Sequence, residues 1–244
     1  MKNLLSMKTP VLALFISLVA FGACVSNKQT QPSTDYTQLV NPFIGTDFTG
    51  NTYPGAQAPF GMVQLSPDNG LPGWDRISGY FYPDSTIAGF SHTHLSGTGA
   101  GDLYDISFMP VTLPYQEAEA PLGIYSKFSH ADEEASAGYY RVLLKDYDIN
   151  VELTATERCG IQRYTFPEAD AAIFLNLRKA MNWDFTNDTR IEVVDSVTIQ
   201  GYRFSDGWAR DQHIYFRTRF SKPFASVQLD TCLLYTSDAA DDKA

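Results

Sequence analysis

Two histidines, His92 and His94, stand two residues apart in residues 89–99, which read Gly-Phe-Ser-His-Thr-His-Leu-Ser-Gly-Thr-Gly. In an extended segment, residues two apart point to the same face, so both imidazole rings would lie on one side. Such a pair could bind a metal ion with a third ligand, for example His130, His213 or a carboxylate. It could also hydrogen-bond neighbouring loops, or offer polar contacts to a sugar or a partner domain. We expect the last of these roles.

Trp74 is followed directly by Asp75 and Arg76, just after a turn. The face of an aromatic ring stacks on the C–H groups of a sugar, while charged groups bind its hydroxyls. The composition is therefore that of a sugar subsite. A tryptophan at a sheet edge beside an unrelated surface ion pair would give the same sequence, and the spacing alone does not choose between the two.

Both motifs belong to residues 41–110, which are rich in glycine, proline, asparagine, aspartate, histidine and aromatic residues. Two further stretches stand out, Asn-Pro-Phe-Ile-Gly-Thr-Asp at residues 41–47 and a longer one at residues 50–68 that begins Gly-Asn-Thr-Tyr-Pro-Gly. Loops dense in glycine and proline have fixed backbone shapes, and loops held by a rigid sheet usually carry binding groups. We therefore predict the functional residues in this part of the chain.

Three other patterns carry no function in our interpretation. Residues 97–101 resemble a dinucleotide-binding loop, but residues 102–109 read as a strand and not as the helix that such a loop requires. Asp102 and Asp105 could be calcium ligands, although their spacing is not that of an EF-hand. Residues 187–189, Asn-Asp-Thr, form a glycosylation sequon that we interpret as a plain turn.

The net charge of −10 argues against nucleic acid as a partner, because an acidic protein repels phosphate backbones. The three cysteines, Cys24, Cys159 and Cys232, form no Cys-x-x-Cys pair, so we expect neither a structural zinc site nor a disulfide framework. We predict Cys159 to be a small buried residue in a strand.

Residues 1–23 have the pattern of an export signal. Lys2 and Lys8 precede an apolar run at residues 11–21, which is too short to span a bilayer comfortably. This segment contains no acidic residue, so its removal takes the net charge from −10 to −12.

The apolar run ends in Gly-Ala-Cys24, which resembles a bacterial lipobox. We therefore expect a lipid on Cys24 and a membrane anchor, with ordinary cleavage after Ala23 as the alternative. Residues 24–37 are polar and are predicted to be a flexible tether. The expected location is the cell envelope, either in the periplasm or at the outer membrane and cell surface.

Residues 38–231 alternate apolar with polar positions in short runs, as at Tyr140, Val142 and Leu144. A continuous apolar run at residues 172–175 predicts a central strand. Turn signals separate the runs at residues 68–70, 167–168, 187–188 and 206–207. Many short strands with regular turns predict an all-β fold, an antiparallel β-sandwich.

Residues 232–244 break this pattern. They resemble the translation of a sequencing adapter at the end of a metagenomic reading frame, and we predict a non-native tail, with a disordered acidic terminus as the alternative. In the first case Cys232 is not part of the natural protein, and the gene continues beyond this point.

Residues 36–230 together resemble the N-terminal domain of glycoside hydrolase family 92. The most specific strings are Gly-Asn-Thr-Tyr-Pro-Gly and Gly-Phe-Ser-His-Thr-His-Leu-Ser-Gly-Thr-Gly, and Phe-Ser-Lys-Pro-Phe at residues 220–224 also fits. The resemblance implies a supersandwich-like β-domain that is paired with a longer helical domain. Members are typically calcium-dependent, inverting exo-α-mannosidases that act on N-glycans and mannans, with the active site between the two domains.

In that family both catalytic carboxylates and most calcium ligands come from the helical domain, which this chain lacks. The resemblance thus assigns no catalytic residue and no metal ligand here, and implies that the chain alone is inactive. It implies partners in a mannose-containing glycan and the protein's own C-terminal helical domain. It also implies that this domain forms a wall of the substrate pocket. The candidate residues for that wall are Asp47, Asn51, Trp74, His92 and His94. A surface glycan-binding lipoprotein without catalysis is the alternative.

Overall fold

The fold is built from short antiparallel strands with no α-helix in the part of the chain that the computed structural model describes, residues 35–97, 99, 101–119, 122–178 and 183–229. The strands are β1 (Ala56–Gln57), β2 (Gln64–Asp68), β3 (Thr86–Ile87), β4 (Gly89–Ser91), β5 (Ser107–Thr112), β6 (Ser126–Lys127), β7 (Glu133–Ser136), β8 (Tyr139–Leu144), β9 (Ile149–Ala155), β10 (Gly160–Thr165), β11 (Ala171–Asn176), β12 (Phe185–Asp195), β13 (Thr198–Asp206) and β14 (Gln212–Arg219). Short 3₁₀ helices span Tyr36–Leu39, Trp74–Arg76 and His130–Asp132.

The predicted signal segment, Cys24, nearly all of the tether and the predicted tail lie outside the described residues. None of the helices in the described ranges has the length and apolar character needed to cross a membrane.

Two sheets enclose the main core. One has the strand order β1-β2-β4-β5-β11 and the other the order β10-β9-β8-β7, and neighbouring strands in both are antiparallel. In β8, Tyr140, Val142 and Leu144 are buried while the residues between them are more exposed, because successive side chains of a strand point to opposite faces. The prediction of an all-β antiparallel sandwich is confirmed.

A third sheet, β12-β13-β14, packs on β5 and β11 through a second apolar cluster. Ile173 and Leu175 of β11 belong to this cluster, whereas Phe174 packs against the main core. The apolar run of residues 172–175 was predicted to form a central strand, but β11 is the last strand of its sheet. The run is continuous because both faces of β11 are covered by other parts of the protein.

Two local predictions are wrong for physical reasons. Residues 187–188 were predicted as a turn but lie inside β12. The register shifts between Thr186 and Asp188, so Asn187 forms a bulge in the strand and not a turn. Cys159 is exposed and not buried in a strand. It lies in the connection between β9 and β10, where its backbone oxygen accepts a hydrogen bond from the backbone nitrogen of Thr156.

Candidate functional site

All three tryptophans of the chain are exposed, and the loops that carry them lie next to one another. The exposed fractions are 50% for Trp74, 44% for Trp183 and 76% for Trp208. The rings of Trp74 and Trp183 meet edge to face with their centroids 6.0 Å apart. Gly207, the neighbour of Trp208, lies so close to the backbone oxygen of Trp183 that an added Cβ would be 2.9 Å from it. We call these three residues the tryptophan platform, since exposed clustered aromatic side chains mark binding surfaces.

One irregular segment, residues 101–106, supports all three tryptophans. Its Gly101 oxygen accepts a hydrogen bond from the Trp183 nitrogen at 3.2 Å. The Asp102 carboxylate accepts one from the backbone nitrogen of Ala209, next to Trp208, also at 3.2 Å. The Tyr104 hydroxyl donates to the backbone oxygen of Arg76 in the 3₁₀ helix of Trp74, at 2.9 Å. Each tryptophan loop is therefore bonded to this support segment.

The support segment was predicted to be part of a strand, but the strand begins only at Ser107. Leu103, Tyr104 and Ile106 have positive φ angles of 79°, 73° and 57°. Residues other than glycine rarely adopt this backbone conformation, and those that do are concentrated at functional sites. Residues 101–106 therefore do not pair as a strand, and they form hydrogen bonds to the tryptophan loops instead.

A surface pocket of about 380 Å³ adjoins the support segment. It is lined by Tyr53, Gln57, Ala58, Phe60, Gly61, Gln64, His94, Leu95, Ser96 and Leu103. Leu103 lines the pocket and is also part of the support segment, so the segment that is bonded to the tryptophan loops also forms part of the pocket wall. Burial raises the pKa of the Tyr53 hydroxyl to about 12, so this group is a neutral hydrogen-bonding group at physiological pH.

His94 lies on the pocket wall, but both of its ring nitrogens are bonded inside the protein. Nδ1 is 2.7 Å from the backbone oxygen of Gln64, and Nε2 is 2.9 Å from Asp68 Oδ1. A carbonyl and a carboxylate are both acceptors, so both ring nitrogens of His94 are engaged inside the protein. These contacts favour the structural interpretation of His94 and leave its polar atoms no bond for a sugar.

His92 also makes an internal bond, because its Nδ1 donates to the backbone oxygen of Ile106 at 2.9 Å. Its ring packs edge-on against Phe108 and against Gly160, where an added Cβ would be 2.7 Å from the ring. Burial lowers the pKa of His92, so the ring is neutral at physiological pH. This residue therefore joins β4 to the end of the support segment.

Asp47 and Asn51 differ in exposure. Asp47 is exposed, and its carboxylate accepts a hydrogen bond from the nitrogen of Phe48 at 2.6 Å. Asn51 is buried with a positive φ of 49°, and its backbone oxygen accepts from Gly97 at 2.6 Å. Its side-chain oxygen has no hydrogen-bond partner among the described residues. The structure therefore joins the two glycine-rich stretches at Asn51 and Gly97.

Comparison with known proteins decides the family. A family model described as the glycosyl hydrolase family 92 N-terminal domain matches residues 39–241. The chain belongs to glycosyl hydrolase family 92. The match reaches into the predicted tail, residues 232–244.

Solved structures of family 92 enzymes resemble this domain. One, an α-mannosidase from Bacteroides thetaiotaomicron in complex with mannoimidazole, has 42% sequence identity and a TM-score of 0.73, with coverage of 78% of this chain and 26% of its own. An inverting mannosidase from Bacteroides thetaiotaomicron VPI-5482 has 28% identity and a TM-score of 0.63, with coverage of 80% and 26%. An uncharacterized secreted glycosidase of Arthroderma benhamiae is 30% identical over 64% of this chain and 20% of its own length. The chain thus spans about a quarter or less of these proteins.

No group of three or more His, Cys, Asp or Glu side chains within the described ranges is placed to hold a metal ion. His130, which was considered as a third ligand, bonds to Glu133 and to the backbone oxygen of Tyr82. Asp102 bonds to the Trp208 loop, so it serves the fold of the site. No chemical step through calcium follows from these residues.

Sequence reasoning found only one residue of the tryptophan platform, Trp74. Trp208 stands in Asp-Gly-Trp-Ala-Arg and Trp183 directly precedes Asp184. An aromatic residue near an acid and an arginine was the signal used for Trp74. The same signal would have found Trp208, which lies between Asp206 and Arg210, but not Trp183, which has only Asp184 beside it.

Proposed function

We propose that this chain forms one wall of the substrate pocket of an exo-acting α-mannosidase that removes terminal α-mannose, such as α-1,2-linked mannose, from N-glycans or mannans. Membership of family 92 makes the parent protein a glycoside hydrolase. The observation that carries the rest is the support segment, which is bonded to the tryptophan loops and whose Leu103 lines the pocket. A monosaccharide needs an apolar surface for its C–H face and a few polar groups for its hydroxyls, and the tryptophan platform and the pocket supply both.

Neutral polar side chains line the pocket and match a neutral sugar. Tyr53, Gln57, Gln64 and Ser96 offer both donors and acceptors. An α-mannosidase that is similar to this chain has been solved with mannoimidazole, which supports a mannose-like ligand here. The similarity to mannosidases does not favour a glycan-binding protein without catalysis.

The catalytic groups of the proposed enzyme lie elsewhere. Inverting hydrolysis needs an acid and a base, roughly 6.5–9.5 Å apart, with a water molecule between the base and the sugar. In this chain, the site carboxylates of Asp68, Asp102 and Asp105 are bonded inside the fold. We therefore assign the acid, the base and the calcium ligands to a C-terminal helical domain, which would also cover the exposed aromatic residues of this domain.

The proposed location is outside the cytoplasm. A protein similar to this chain is named a secreted glycosidase, which supports export. The lipobox-like end at Cys24 supports an anchored lipoprotein of the cell envelope.

The test uses the complete protein with the proposed C-terminal helical domain, in which Trp74→Ala and Trp208→Ala are made separately. Loss of sugar stacking should lower kcat/KM for an α-mannoside about tenfold or more, which corresponds to about 1.4 kcal/mol of transition-state binding. Tyr215→Ala is the matched control, because Tyr215 is also exposed, at 69%, but lies on β14 and belongs neither to the tryptophan platform nor to the pocket lining. If both tryptophan variants keep the kcat/KM of the Tyr215 variant, the proposed pocket wall is wrong.

A further inference from the structure

We infer that Arg203 is a positioning residue that fixes the tryptophan platform by holding Asp105 and Asp184 behind it. The inference rests on the proposed function insofar as the platform binds substrate. The three residues form a buried charge cluster, in which none of the three charged side chains is exposed to solvent.

Arg203 is fully buried, and its guanidinium binds four oxygens from three different parts of the chain. Nη1 donates to Asp105 Oδ1 at 2.5 Å and Nη2 donates to Asp184 Oδ2 at 2.7 Å. Nε donates to the backbone oxygen of Leu177 at 3.0 Å, and Nη1 also donates to Ser205 Oγ at 2.9 Å. Because the donors of a guanidinium lie in one rigid plane, this one side chain fixes the relative positions of its acceptors.

Asp105 connects the charge cluster to the support segment, of which it is a member. Besides Arg203, its carboxylate accepts bonds from Gln212 Nε2 at 3.0 and 2.9 Å and from Thr93 Oγ1 at 2.6 Å. Its backbone nitrogen donates to the same Thr93 hydroxyl at 2.9 Å. The support segment is thus tied to β14 and to the histidine-containing segment through one carboxylate.

The residues that bond to Arg203 are close in the chain to the loops of Trp183 and Trp208, or to a residue that bonds to one of these loops. Asp184 follows Trp183 in the chain. Arg203 itself is on β13 and Gln212 begins β14, so they flank the turn that carries Trp208, and Ser205 pairs with Gln212 in the strand register. Asp105 is three residues after Asp102, which bonds the Trp208 loop. A displacement of the guanidinium would therefore move the loops of Trp183 and Trp208 together.

Stability alone does not account for a charged cluster at this place. Its surroundings include an apolar cluster with Ile106, Phe108 and Leu177, which shows that the region packs with ordinary hydrophobic contacts. Burying charges costs free energy that apolar residues of similar size would not cost, whereas directional bonds select one arrangement of the loops. Two carboxylates and one guanidinium fix this arrangement where apolar packing would allow several.

Tryptophan spectroscopy tests the inference in the 244-residue chain, because all of its tryptophans belong to the platform. In Arg203→Met, which keeps the length of the apolar stem, we expect weaker near-ultraviolet circular dichroism from the tryptophans and stronger acrylamide quenching, with the far-ultraviolet sheet signal retained. Arg217→Met is the matched control, since Arg217 is exposed on β14 and bonds only to Gln200 among the residues described. Spectra of Arg203→Met that equal those of Arg217→Met would overturn the inference.

A milder variant covers the case in which Arg203→Met does not fold. Gln212→Met removes the two bonds to Asp105 but leaves every charge in place, and we expect the same spectral changes with smaller amplitude. A folded Gln212→Met protein with the wild-type spectra would overturn the inference in that case.

Kinetics of the complete protein separate this inference from the proposed function. A positioning role predicts that Gln212→Met raises KM for an α-mannoside about fivefold while kcat changes less than about twofold, because ground-state and transition-state binding weaken together. Altered tryptophan spectra with an unchanged KM would uphold the positioning of the platform but contradict its contact with substrate. Unaltered spectra would overturn the positioning role whatever the kinetics.

Discussion

The hydroxyl of Tyr104 lies 2.9 Å from the backbone oxygen of Arg76 and connects the support segment to the 3₁₀ helix that carries Trp74. Tyr104 is buried, has a positive φ of 73° and packs its ring against His94 with the ring centroids 5.4 Å apart. Tyr104, which is 28 positions from Arg76 in sequence, thus helps to fix the position of the helix that carries Trp74.

Removing that hydroxyl should loosen Trp74 without opening the core. In Tyr104→Phe we expect a loss of about 1 kcal/mol in the free energy of unfolding, because the Arg76 oxygen keeps only its bond from the Gly79 nitrogen while the ring still fills its site. Urea unfolding measures the loss. Tyr202→Phe is the control, since its hydroxyl bonds to Asp188 on the exposed surface and should matter by less than about 0.5 kcal/mol. Equal effects in the two variants would contradict the role of Tyr104.

His94 should be needed for folding more than for turnover. In His94→Ala, the buried Asp68 carboxylate loses its hydrogen bond to His94 Nε2, and we expect a loss of about 1–3 kcal/mol of stability. Combination with Asp68→Asn should recover part of the loss, because an amide is less costly than a carboxylate to leave without this partner. An unchanged melting temperature together with a large loss of mannoside turnover would instead support a sugar contact for His94.

Stability should fall at alkaline pH because tyrosines are buried. Burial raises the pKa of Tyr140 well above its ordinary value of 10.0, with a further contribution from the Glu133 carboxylate to which it donates at 2.6 Å. The unfolded chain releases the Tyr140 proton near pH 10 and the folded chain does not. The contribution of this tyrosine to the free energy of unfolding is therefore constant below pH 10 and is lost as the pH rises above it. The loss per such group is about 1.4 kcal/mol per pH unit. In Tyr140→Phe the slope of stability against pH between 10 and about 11.5 should be smaller than in Tyr215→Phe, measured by urea unfolding; identical slopes would refute the assignment.

Lipidation at Cys24 is a prediction from the sequence alone. Replacement Cys24→Ser should release the protein from membranes of the host cell, because the thiol that takes the lipid is gone. Cell fractionation followed by detection of the chain measures this. A serine variant that stays with the membranes as the unsubstituted protein does would disprove the anchor.

The chain by itself should not hydrolyse mannosides. It lacks the proposed acid, base and calcium ligands, and it exposes Phe48, Phe60 and the tryptophan platform, which favours association. The purified chain without residues 1–23 is assayed with a synthetic α-mannoside and calcium. Calcium-dependent release of mannose above a mock purification would show that the catalytic groups have been misplaced.

The sequence by itself determined the all-β class, most strand positions and the resemblance to family 92. These features are local, because a strand buries every second side chain and a run such as that of β8 records the burial directly. The glycine-rich stretches could likewise be read as a functional segment, since their backbone shapes depend on residues that are close in sequence.

Only the tertiary structure decided which residues form the site. Trp183 and Trp208 lie far from Trp74 in sequence, and they come together because hydrogen bonds from residues 101–106 hold their loops. No periodic pattern encodes such bonds. The sequence led us to expect a sugar or partner-domain contact for His94, because it does not show whether the ring nitrogens meet internal acceptors or open space. Gln64 and Asp68 supply those acceptors only in the folded chain.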